Sequence, residues 1–149
     1  MSPSNLTDHI GYWMRMVSNA VSQEFARKVS GHDVTVAEWS LMRTLYDDEP
    51  MPPSVLAATM GMTKGAISKL AERLTTKGLV AREESLEDRR AHNLSLTPEG
   101  RVKIPVLAAL ADENDAEFFE LLTQEERETL VRLLKTLAER RALKSTPVD

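Results

Sequence analysis

No cysteine occurs in the 149 residues. That excludes a disulfide framework, a thiolate zinc site, a catalytic thiol and a thiol redox switch, and it fits a reducing compartment. Long apolar runs are also missing. The longest, such as 106–111, cover only a few residues, well short of the ~20 that a spanning helix needs. The opening Met1-Ser2-Pro3-Ser4-Asn5 has no basic stretch followed by an apolar one, so no secretory signal is expected. His9, His32 and His92 lie far apart without a ligand spacing, and no metal site is expected. Gly61-Met62-Thr63-Lys64-Gly65 lacks the Gly-Lys-Ser/Thr ending of a phosphate loop, and no nucleophile elbow is present. Without a catalytic constellation, no enzyme is expected. What remains is a chain with 42% hydrophobic and 28% charged residues, able to bury a core without staples. Its expected location is cytoplasmic, with no membrane partner.

Charge is unevenly spread. The whole chain carries −4, yet residues 63–103 hold nine basic against six acidic residues, a local +3. The other ten basic and seventeen acidic residues leave −7. A basic middle between acidic flanks is what an electrostatic footprint on phosphate requires, though a solvated charged face would read the same way.

Apolar spacing predicts the elements. Leu6, Ile10, Trp13, Val17, Ala20, Val21 and Phe25 predict a first helix over 6–29, stopped at Ser30-Gly31. Thr35-Val36-Ala37-Glu38 has the form of a capping box and opens a second helix to about residue 47. Pro52 and Pro53 suit the first turn of a third, which Gly61 ends. Thr63 is the N-cap of a fourth over 64–77, buried along Ile67, Leu70, Ala71 and Leu74. Residues 79–83 and 92–96 read as short strands joined by a polar hairpin. Thr97-Pro98-Glu99 starts a fifth helix, in which Pro105 should introduce a kink. Thr123-Gln124-Glu125-Glu126 is another capping box, opening a last helix along Leu130, Leu133, Leu134 and Leu137.

Within this order, Ala57, Gly61 and Ile67 stand at the offsets of a helix-turn-helix: a small residue at the crossing, glycine in the turn, a branched residue returning to the core. The hairpin that follows, with Asp88-Arg89-Arg90 near its tip, makes it a winged helix-turn-helix. The fold class is therefore mainly α, a winged helix-turn-helix core with a two-stranded wing and long N- and C-terminal helices. Met62-Thr63-Lys64-Gly65-Ala66-Ile67-Ser68-Lys69-Leu70, Lys77-Gly78-Leu79-Val80, Glu87-Asp88-Arg89-Arg90-Ala91 and Leu94-Ser95-Leu96-Thr97-Pro98-Glu99-Gly100 together resemble the MarR family of bacterial transcription regulators. The resemblance covers the whole chain as a single domain over 1–149. It implies a DNA-binding core over 35–97 and dimerisation helices over 6–30 and 98–143. It further implies a homodimer on a pseudo-palindromic double-stranded operator, released by a small ligand and acting as a repressor.

Thr63, Lys64, Gly65, Ser68, Lys69 and Arg73 form the outward face of the second helix of the motif, with Arg73 alternatively paired to a structural carboxylate. By resemblance, Asp88 and Arg90 shape the wing, Arg90 also counting among the DNA-binding residues, and Arg89 enters a narrow minor groove. The other reading of the fold is a protein- or RNA-interaction module without operator binding. Outward polar and basic residues rather than apolar ones favour DNA. No cofactor is expected beyond a small aromatic effector. Its candidate lining is Tyr12, Trp13 and Met16 on the first helix with Trp39, Met42 and Arg43 on the second, though filling a dimer core is the commoner role for such residues.

Overall fold

A computed structural model describes residues 1–84 and 92–144 of the chain. Its elements follow in the expected order: α1 (Ile10–Ser30), α2 (Val36–Asp48), α3 (Pro53–Met60), α4 (Lys64–Thr76), β1 (Val80–Glu84), β2 (His92–Leu96), α5 (Pro98–Phe118) and α6 (Gln124–Arg140). The local signals that end these elements are physical ones. At both Thr35 and Thr123 the hydroxyl accepts the backbone N–H three residues on, and the glutamate there returns to the threonine's own N–H. Thr63 and Thr97 cap α4 and α5 through the same hydroxyl acceptance. Gly61 takes the left-handed conformation, φ 66°, that turns α3 into α4.

One expectation needs correction. The first helix does not start at Leu6. Leu6–Asp8 is a separate 3₁₀ turn, because Asp8 reaches back to the Asn5 N–H at 3.1 Å and His9 is extended. The end at Ser30-Gly31 is as expected, with Gly31 right-handed and Asp33 adopting a positive φ of 57° beyond it; a short polar side chain tolerates that region. Pro105 lies inside α5, which runs from Pro98 to Phe118.

The core is a single cluster beneath the helix-turn-helix. Leu41, Met42 and Leu45 of α2 meet Leu56 and Met60 of α3, Ile67, Leu70 and Leu74 of α4, and Leu94 and Leu96 of β2. Ile104 and Leu107 bring α5 onto it, and Phe25 and Val29 bring the C-terminal end of α1. β1 and β2 pair antiparallel with Val80 opposite Leu96 and Glu84 opposite His92. Met51 adds a third, one-residue strand by exchanging both backbone hydrogen bonds with Leu94, at 2.8 and 3.0 Å. This bridge is masked in the sequence by its flanking prolines, which read as a breaker. Buried Asn114 joins α5 to α1: it donates to the Val21 carbonyl at 3.2 Å and accepts from Lys28 at 3.1 Å.

The apolar stripes at the two ends of the chain behave differently from the core. Ile10 is 77% exposed and Leu137 51%, with Leu6, Trp13, Met14, Val17, Val131, Leu133 and Leu134 also exposed. No described residue of α6 is buried. None of the described helices is long and apolar enough to cross a membrane.

Candidate nucleic-acid interface

α4 presents the site, and its orientation follows from its own periodicity. At about 100° per residue, the buried Ile67, Leu70, Ala71 and Leu74 turn Gly65, Ser68, Lys69, Glu72 and Thr76 to the opposite side. All five are exposed, with Thr63, Lys64 and Arg73 exposed beside them. The Thr63 hydroxyl accepts the Ala66 N–H at 3.1 Å, so its own proton stays free to donate outward. Gly65 deserves its place for a reason outside the chain. A Cβ there would meet only the Thr63 hydroxyl oxygen at 4.0 Å, so no packing demand requires glycine, and its absent side chain leaves the helix N-terminus open to close approach. Unpaired N–H groups and the dipole at such a terminus favour an anion.

Lys64 and Ser68 line a groove of about 370 Å³ with Pro52, Pro53 and Ser54 at the start of α3 and Arg82, His92 and Leu94 on the strands. Its charged lining is basic, Lys64 and Arg82. Arg82 and His92 were missed as site residues from sequence, since nothing in the linear chain shows that strand pairing places both beside α4. Asp88, Arg89 and Arg90 lie outside the described residues.

Arg73, near the end of α4, and Lys77, just beyond it, both reach an acid of α2. Arg73 Nε stands 3.5 Å from Glu38 Oε2, and Lys77 Nζ donates to Glu38 Oε1 at 2.9 Å. Of the two readings of Arg73, the structural pairing is the one seen. Glu38 was legible only as the acid of a capping box. Its second role depends on α4 crossing the start of α2, which periodicity does not contain.

The proposed effector lining is not brought together within one chain. Met42 is fully buried in the core and cannot line an open crevice in this conformation. Trp39 packs edge-on against Phe25, 6.4 Å between centroids. Trp13 lies twelve residues before Phe25 on α1, about 18 Å along the helix at 1.5 Å per residue. There it pairs with Tyr12 at 5.3 Å and donates to the Thr7 carbonyl at 2.9 Å, while Met16 is exposed a turn further on. Arg43 pairs with Asp47 at 2.8 Å and stacks over Tyr46 at 5.4 Å. Arg101 meets the same ring at 5.1 Å and pairs with Glu49. Among the described residues no group of three His, Asp or Glu side chains converges as a metal site would require.

Comparison with known proteins agrees with this geometry. A family model described as MarR family matches residues 32–91, the span that includes α2, the helix-turn-helix and the first wing strand. A crystal structure of a probable transcriptional regulator from Pseudomonas aeruginosa is 30% identical, covering 89% of this chain and 99% of that one, with a TM-score of 0.81. The transcriptional repressor CouR bound to a 23-mer DNA duplex is 27% identical, covering 93% and 98%, with a TM-score of 0.82. The HTH-type transcriptional repressor MdtR of Bacillus subtilis is 27% identical over 93% of this chain and 89% of its own.

Proposed function

The chain belongs to the MarR family of winged-helix transcription regulators, and we propose that it acts there as a homodimeric repressor that reads a pseudo-palindromic operator and is released by a small aromatic ligand. The observation that carries the DNA reading is the outer face of α4. It offers Ser68, Lys69, Lys64 and an unencumbered helix N-terminus at Gly65 beside a basic groove. Hydroxyls and lysines of this kind contact phosphate and base edges in a major groove. A protein-docking winged helix would turn apolar side chains outward, and α4 turns out none. The repressor role is supported by likeness to CouR and MdtR, both named as transcriptional repressors.

Dimerisation is supported by the apolar stripes of α1 and α6, which the chain leaves exposed, since a contiguous exposed apolar surface marks an interaction site. Release by an aromatic ligand is supported by the aromatic surface of Tyr12 and Trp13, which the chain itself leaves partly uncovered.

Selection of binding sites from random duplex DNA tests the reading. A symmetric consensus, bound with a steep fall in affinity as salt rises, is expected. Lys69→Ala should flatten the slope of log affinity against log salt by about one unit. Absence of duplex binding, or binding without salt dependence, would favour the protein- or RNA-docking module instead. For the ligand, aromatic acids that raise the melting temperature should also release the selected duplex.

A further inference from the structure

Glu38 is the one charged residue of the described core with no exposed surface, at 0%, and its two oxygens are treated unequally. Oε1 accepts from the Thr35 backbone N–H at 2.8 Å and from Lys77 Nζ at 2.9 Å. Oε2 is buried and has no hydrogen-bond partner; its near neighbour is the Arg73 guanidinium, with Nε at 3.5 Å. Lys77 also donates to the Asp33 carbonyl at 2.8 Å, where the left-handed Asp33 turns its backbone toward α4. Arg73 and Lys77 are one helical turn apart, on the flank of α4 that faces α2. Both therefore bind one carboxylate at the first turn of α2. Lys64 and Lys69, on the rest of α4, make no ion pair among the described residues.

A buried carboxylate that loses its cations is left uncompensated in a poor solvent for charge. Arg73, at 53% exposed, stands where it could reach either Glu38 or a phosphate, but not both at full strength. Moving it to phosphate would strip Oε2 of its neighbouring cation. On the reading that α4 enters the major groove, we propose that Glu38 is a positioning residue for operator recognition. It holds the C-terminal half of α4 through Arg73 and Lys77, and Arg73 sets the angle of the helix instead of contacting phosphate. A base-reading helix needs that angle held, because a small tilt misplaces Ser68 and Lys69 relative to base edges while leaving non-specific charge contacts nearly intact.

The test compares wild type, Glu38→Gln, Arg73→Gln, the double variant and Lys69→Gln on two duplexes, the selected operator and a random sequence of equal length. Affinities are taken over a salt series at a temperature where each variant is folded by circular dichroism. Glu38→Gln and Arg73→Gln should each lower the ratio of operator to random affinity about tenfold. Their salt slopes should stay at the wild-type value, while Lys69→Gln loses about one unit of slope. The double variant should be no worse than the poorer single one, since both remove the same link. A purely structural role would move the melting temperature and leave the ratio unchanged at a folded temperature, and that result overturns the proposal. So does a loss of about one unit of salt slope in Arg73→Gln, or multiplied effects in the double variant. If Glu38→Gln does not fold, the slope and ratio of Arg73→Gln decide alone. If the wild type binds neither duplex, the DNA reading itself fails and the proposal falls with it.

Discussion

The first turn of α5 sits so close to the end of α4 that residue identity there is decided by backbone. Thr97 donates to the Gly78 carbonyl at 2.6 Å and its N–H to the Leu79 carbonyl at 3.1 Å. A Cβ on Gly100 would run directly into the Leu79 carbonyl, which has no flexible end to move aside. Gly100→Ala should therefore destabilise by about 1–3 kcal/mol, the usual cost of overpacking, read as a lower denaturant midpoint at fixed protein concentration. Glu38 makes a pH prediction at the same scale. Burial pushes its carboxyl up, but the Thr35 backbone N–H, the hydrogen bond and charge of Lys77, and the Thr35 hydroxyl outweigh this and hold it below the ordinary 4.5. A carboxyl lowered by folding stabilises fully above its unfolded value and loses that contribution as pH falls through its folded one. The melting-temperature gap between wild type and Glu38→Gln should then be constant near neutrality and shrink below pH 4.5. A gap that widened in acid would contradict the clamp's charged state.

Among the elements, α6 is the one whose sequence and surroundings disagree. It has a complete capping box and an apolar stripe through Leu130, Leu133, Leu134 and Leu137, yet buries none of its residues in the chain. Such a helix gains little from propensity alone and needs a packing partner for its stripe. Removing 123–149 should leave an insoluble or unfolded product, because the exposed stripe of α1 loses what would cover it. A well-folded monomer from that truncation, seen by sedimentation and circular dichroism, would count against an obligate dimer. Element starts were largely legible because a threonine cap or a left-handed glycine acts over three or four residues. The start of α1 was misread, since one stripe through Leu6 and Ile10 continues across a break made by Asn5, Asp8 and extended His9.

For the molecule as a whole, the proposed two-fold axis has a geometric consequence. Two copies of α4 related by that axis should read half-sites about one helical turn apart, near 10 bp centre to centre. Footprinting on the selected duplex should give symmetric protection with that spacing, at two chains per duplex. One chain protecting an asymmetric site would contradict the dimeric reading without touching the winged fold. The uneven charge of the chain agrees with this arrangement: its basic excess lies in the span containing α4 and the strands, and its acidic excess in the flanks.

What the sequence determined by itself is whatever depends on neighbours along the chain. Helix starts at Thr35, Thr63, Thr97 and Thr123, the turn at Gly61 and the buried stripe of α4 all follow from contacts three or four residues apart. These suffice for the winged helix-turn-helix and for the outward placement of Lys64, Gly65, Ser68 and Lys69. Tertiary structure alone decided what depends on distant segments meeting. It carried Arg73 and Lys77 to a carboxylate 35 and 39 residues earlier in the chain, set Arg82 and His92 beside Lys64, and gave Met51 a strand partner in Leu94. It also buried Met42 in the core and set Trp13 about 18 Å along α1 from the Phe25 that Trp39 packs against. Local hydrogen bonds leave a period in the sequence; a salt bridge between crossing helices leaves none, because its partners are chosen by the angle at which the helices pack.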